Sequence, residues 1–252
     1  MNSRRATSGP ISKAEFIMRA AFVTAIVLLT PAYALAQSCP QPLASAHRLV
    51  LVTADKFSST SASLGQFERD AANAPWHEVR AATPALVGQR GLAWAHAFRR
   101  YAGRGEPIKV EGDHRAPIGF FKLGADFGFG MSGRPGYLRI AQDTICVYDL
   151  SSPAYNTITS RAKAGLKVRA ENMSYVPQYR KGLLVDYPTD AKAKAGSCIF
   201  IHLQLPGMTG TGGCVALPEP QLVALQDFAQ PGAVLAILPR QALGRFKGCL
   251  PN

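Results

Sequence analysis

Between Pro206 and Cys214 the chain reads PGMTGTGGC, with glycine at positions 207, 210, 212 and 213. Neither a helix nor a strand interior favours that density, because each glycine fixed there loses more backbone entropy than any other residue. The stretch must therefore be a shaped loop. Upstream, residues 197–205 form an apolar run of Ile, Phe and Leu with His202 set into it, which predicts a strand. Downstream, Pro218, Glu219 and Pro220 open a helical run over residues 221–228. The period of two along a strand puts His202 on one face with Phe200 and Cys198, and turns Ile199, Ile201 and Leu203 the other way.

A strand carrying an imidazole, joined through a glycine turn to a cysteine, suits nucleophilic chemistry. A free thiol has a pKa of about 8.5, and a neighbouring imidazolium or helix N-terminus lowers it by about two units or more. The backbone N–H groups of Gly212 and Gly213 can approach a developing oxyanion closely, since no side chain intervenes. The expectation is a Cys-His acyl-transfer site built on Cys214 and His202. An inert buried thiol, or half of a disulfide, is the competing reading of the cysteine. Zinc on Cys198, His202 and Cys214 is disfavoured: residues four apart on a strand lie about 13 Å from each other, and zinc bonds are roughly 2.0 to 2.3 Å long. His47, His77, His96 and His114 are scattered without metal-ligand spacing.

Phe200-Ile201-His202 followed by Thr211-Gly212-Gly213-Cys214-Val215 resembles the catalytic signature of the L,D-transpeptidase catalytic-domain (YkuD-like) family, which remodels bacterial peptidoglycan. The likeness extends through residues 112–121 and Ser152-Pro153-Ala154-Tyr155-Asn156, and covers roughly residues 109–238. It implies a mainly β chain with a few short helices, folded as a YkuD-like β-sandwich. It also implies Cys214 as nucleophile, His202 as base, and an oxyanion hole lined by the Gly213 and Cys214 amides beside Gly212. The imidazole would be oriented by the Leu203 carbonyl, with Thr211 and Tyr187 contacting substrate and no cofactor. The implied substrate is a peptidoglycan stem peptide. An amine acceptor, on a peptide or an envelope protein, would give a crosslink; water would make the site an L,D-carboxypeptidase or amidase. A non-catalytic peptidoglycan-binding envelope protein is the alternative from another class. Three departures mark a divergent branch: Gly212 replaces the histidine of Ser-His-Gly-Cys, Ala216 stands where an arginine follows the cysteine, and the spacing of 12 from His202 to Cys214 is short.

Arg4, Arg5, Lys13 and Arg19, an apolar stretch over residues 20–29, and Ala34-Leu35-Ala36 together read as a secretory signal peptide over residues 1–36. Cleavage after Ala36 would leave residues 37–252 without a stable membrane anchor, exported to the periplasm or cell envelope. Of the 28 Lys and Arg and 16 Asp and Glu, the mature region keeps 24 and 15, a charge of +9. That balance suits anionic envelope polymers and substrates with free carboxylates. Nucleic acid is not an expected partner, given export and the lack of a recognisable binding module.

Export permits disulfides. Of the five cysteines, Cys214 is left free in this reading, Cys39 is expected to clasp Cys249 across the termini, and Cys146 to join Cys198 between apparent strands. Sequence alone leaves other pairings open.

With 47% hydrophobic and 17% charged residues, the chain is long enough for one core. Small N-terminal strands are expected within residues 46–100, at 48–53, 61–67 and 76–79, ahead of a catalytic core over residues 105–240. Residues 113–121 read as a β-hairpin corner, 127–136 as glycine-rich loop, and 161–169 as a solvated basic helix or loop. Residues 137–140 and 144–148 read as paired strands, with further strands at 182–187 and 233–238.

Overall fold

The computed structural model describes residues 39–229 and 232–252; the expected signal peptide lies outside the described residues. The chain is mainly β. Its strands are β1 (Arg48–Ala54), β2 (Ser61–Glu68), β3 (His77–Leu86), β4 (Leu92–Trp94), β5 (Ala116–Gly128), β6 (Leu138–Arg139) and β7 (Thr144–Val147). They continue as β8 (Ile158–Ser160), β9 (Ala170–Asn172), β10 (Lys181–Asp186), β11 (Phe200–Leu203), β12 (Val215–Leu217) and β13 (Val234–Pro239). The helices are α1 (Arg161–Ala164), a single turn in the basic stretch, and α2 (Glu219–Phe228), with short 3-10 turns elsewhere.

Strand pairing runs β10-β11-β12-β3-β2-β1-β13-β5, and β5 pairs with β10 to close the ring. The layered β architecture thus takes the form of a sheet closed on itself, with β4 and β6 added along β5 and a separate sheet of order β8-β7-β9 outside it. Closure explains β13, whose six residues are all buried. It pairs in parallel with β1 and antiparallel with β5, and a strand covered on both sides reads as an unbroken apolar run. Leu49, Leu64, Leu92, Trp94, Ile118, Phe120 and Phe121 belong to the main apolar core, which the sheet packs on both of its faces.

Several expectations are corrected. Residues 113–121 are no hairpin corner: Pro117 and Gly119 lie inside the long strand β5. A Cβ at Gly119 would sit 2.3 Å from the Phe98 ring, so the glycine gives that ring its place. Phe127 and Gly128 end the same strand instead of opening a loop. Residues 137–140 and 144–148 do not pair with each other; β6 pairs with β5, and β7 is the centre of the small sheet. The cause is a turn in which the Thr144 amide donates to the Ala141 carbonyl (3.1 Å) and the Ala141 amide donates to Thr144 Oγ1 (2.9 Å). Strand β3 runs on to Leu86 because its ladder with β2 continues, although most of its side chains are exposed and show no alternation.

The disulfides are Cys39–Cys249 and Cys146–Cys198, leaving Cys214 free, as expected. The second ties β7 of the small sheet to Cys198, two residues ahead of β11. Where the small sheet meets the ring, Phe127, Ile140, Cys146, Met173, Tyr179, Phe200 and Cys214 form a second apolar cluster.

Candidate functional site

Strand β11 is buried on both faces, and the division follows the alternation read from the sequence. Ile199, Ile201 and Leu203 join the main apolar core, while Phe200 belongs to the second cluster. Strands β11 and β12 run parallel, with Ile201 opposite Val215 and His202 opposite Ala216. Alternation then brings the Cys214 side chain out on the face shared by Phe200 and His202. Cys214 and His202 line one cavity of about 480 Å³, together with Lys109, Glu171, Tyr179, Thr211, Gly212 and Gly213.

The cavity is closely packed around its two reactive groups: Cys214 is 6% exposed and His202 5%. His202 Nδ1 lies 2.9 Å from the Leu203 carbonyl. A carbonyl only accepts, so Nδ1 carries the hydrogen and Nε2 is left as the basic nitrogen. The Tyr179 ring meets the imidazole edge-on, with centroids 5.5 Å apart. At Cys214, Sγ accepts from the Phe200 amide (3.3 Å) and donates to the Cys198 carbonyl (3.4 Å).

Burial governs the titration of both groups. It lowers His202 to about 4, against the opposing pull of the Leu203 carbonyl. It pushes the Cys214 thiol up to about 12; the Phe200 amide opposes this, the Glu171 charge adds to it, and Lys109 and Tyr179 draw it back down. The expected lowering of the thiol by an imidazolium is therefore not the resting arrangement. In so dry a site, separating charge costs more than the pair returns, and the sulfur and the ring both rest neutral at pH 7. Any nucleophilic chemistry at such a site has to begin from a neutral thiol that gives up its proton during attack, not from a preformed thiolate.

The other expected site residues divide. Leu203 holds the imidazole as expected. Thr211 lines the cavity, but its hydroxyl is occupied: it donates to the Cys214 carbonyl (2.7 Å) and accepts from the Gly213 amide (3.1 Å). It braces the turn, and the Gly213 amide is directed at Thr211 instead of into the cavity. Gly213 has φ +143°, and a Cβ there would sit 3.1 Å from the Arg115 carbonyl oxygen, so this glycine is required by geometry. At Gly212 a Cβ would meet open space. Tyr187 lies in the core, outside the cavity lining: its ring packs edge-on against Phe121 at 5.5 Å and its hydroxyl donates to the Ala195 carbonyl. The Cys198 sulfur is bonded to Cys146, which removes it from any shared metal site with His202 and Cys214.

Three residues of the cavity escaped the sequence reading. Lys109, 3% exposed, lies just ahead of the segment read as a hairpin corner and is paired with Asp113 at 2.5 Å. Tyr179 sits in the 3-10 turn Pro177–Arg180, which has no periodicity to flag it. Glu171 arrives on β9, opposite Cys146, and that register is invisible without knowing that the small sheet exists. No family model, curated protein or solved structure matches this chain.

Proposed function

We propose that this protein is an exported cysteine acyl-transferase of the L,D-transpeptidase type, acting on peptidoglycan stem peptides. The observation that carries the reading is the pairing of Cys214, the thiol left over from two disulfides, with an imidazole in the same cavity whose Nδ1 is held by a backbone carbonyl. The resemblance of the Phe-Ile-His and Thr-Gly-Gly-Cys segments to the YkuD-like signature supplies the substrate class. The +9 charge of the expected mature region favours an anionic polymer. Two disulfides are in keeping with the oxidising envelope to which the N-terminal signal would send the chain.

In this reading His202 Nε2 takes the thiol proton as the sulfur bonds to the carbonyl carbon of the scissile amide. The oxyanion is assigned to the Gly212 and Cys214 amides, since Thr211 occupies that of Gly213. Collapse releases the amine, which takes its proton from the imidazolium, and leaves a thioester on Cys214. An acceptor amine then attacks, gives its proton to Nε2, and displaces the sulfur as the new amide forms; with water as acceptor the product is the free acid.

Incubation of the mature protein with muropeptides, read by mass spectrometry, tests this. Crosslinked or exchanged stem peptides are expected from the parent and none from Cys214→Ala. Free acid alone would make the protein the hydrolase. Peptidoglycan binding without any product, equal in parent and variant, would make it the binding protein and overturn the enzymatic reading.

A further inference from the structure

The acyl-transfer scheme leaves two residues beside the thiol without a task. Tyr179, 5% exposed, donates its hydroxyl to Glu171 Oε2 at 2.8 Å, and it lines the same cavity and packs in the same apolar cluster as Cys214. Its ring is the one that meets His202 edge-on. Glu171 is placed by the register of β9 against β7, opposite Cys146. The disulfide partner of Cys146 is Cys198, whose carbonyl accepts from the thiol. Three segments far apart in the chain thus bring a carboxylate, a phenol and a thiol to one cavity wall, with the phenol hydrogen-bonded to the carboxylate.

We propose that Tyr179 is a further catalytic residue, whose phenol O–H passes from Glu171 to the Cys214 sulfur when the thiol gives up its proton, and that Glu171 is the positioning residue controlling this turn. In the resting site the phenol points at the carboxylate, and the thiol donates to the Cys198 carbonyl. As the thiol proton moves to His202 Nε2, the phenol rotates: one O–H···O bond breaks, one O–H···S bond forms, and no covalent bond of the phenol changes. The thiolate is then held by two donors, the Phe200 amide and Tyr179. The inference rests on Cys214 being the nucleophile, but not on the identity of the acyl donor.

The surrounding charges agree in direction. Tyr179 draws the thiol towards ionisation, while the Glu171 charge pushes it the other way. Burial holds Glu171 itself above the usual carboxylate range, and the hydrogen bond from Tyr179 opposes that rise. The other titratable groups on the cavity wall are Lys109, Glu111, His114, Tyr148 and His202. Lys109 is engaged by Asp113, and Glu111 accepts from Tyr155 (2.6 Å) and Ser197 (2.8 Å).

The test is alkylation of Cys214 by iodoacetamide across pH in the disulfide-intact protein, where the other four cysteines are bonded. Tyr179→Phe keeps the ring against His202 and removes the donor. Its midpoint should rise by about one pH unit, a roughly tenfold slower alkylation at fixed pH below the midpoint. Glu171→Gln removes the charge and weakens the competing acceptor, so its midpoint should fall, with alkylation faster by a similar factor. A purely structural role would move both variants the same way or alter only their melting temperature. Midpoints unchanged, or shifted in one common direction, overturn the proposal. A parent thiol inert while folded overturns both the relay and the nucleophile, whereas a reactive thiol with unmoved variants sinks the relay alone.

Discussion

Keeping His202 neutral inside the fold ties stability to pH. Burial lowers it to about 4, whereas the unfolded chain titrates near the ordinary histidine value, so the unfolded state binds the extra proton. The stability gained by excluding that proton is present above about pH 6.5 and is lost as pH falls towards 4, a contribution of about 3 kcal/mol at full effect. His202→Gln should flatten this limb: urea denaturation of parent and variant between pH 7 and 4 should show the parent losing about 3 kcal/mol more. Cys214 has the opposite sign. Its raised folded pKa means that its contribution is intact below about 9 and lost as pH climbs towards 12. The site is therefore most secure between these limits, where it holds a neutral ring and a neutral thiol.

Among the elements, the glycine turn and β11 carry most of the site. Gly213→Ala places a methyl against the Arg115 carbonyl at a backbone angle that alanine rarely adopts, and should cost about 1–3 kcal/mol. Gly212→Ala meets open space and should leave stability within about 0.5 kcal/mol of the parent, which thermal melts of the two variants would compare. What the sequence made legible follows the same physics. Strand β11, helix α2 and the glycine turn were readable because alternation, the proline pair and glycine spacing are local signals. The leftover thiol was readable because an odd cysteine count leaves one residue over in a chain expected to be exported. The true extent of β3 was not, since exposed side chains carry no burial pattern. Tyr187 was misassigned because a tyrosine ending an apolar strand looks the same from sequence whether it faces a cavity or the core. Glu171 and Tyr179 were invisible because their meeting depends on how a small sheet docks, and the thiol's raised pKa depends on a dryness that only packing reveals.

At the scale of the whole molecule, long-range closure dominates. The Cys39–Cys249 bridge spans a sequence separation of 210, and the Cα atoms it joins are 5.5 Å apart. By the chain-entropy account such a crosslink contributes up to about 5 kcal/mol, and less where strands already hold the ends. Here β1 and β13 are paired along six residues, so Cys39→Ser/Cys249→Ser should lose measurably less than that ceiling in urea denaturation. A loss at the full value would mean that the strand ends fray without the bridge. The placing of β13 has a consequence for the growing chain. It is threaded between β1 and β5, strands laid down much earlier, so a polypeptide halted before Val234 keeps two bare margins of unspent amide and carbonyl groups. Such a fragment would recruit strands from its neighbours and clump, which makes the last 19 residues the guarantor that each copy stays separate.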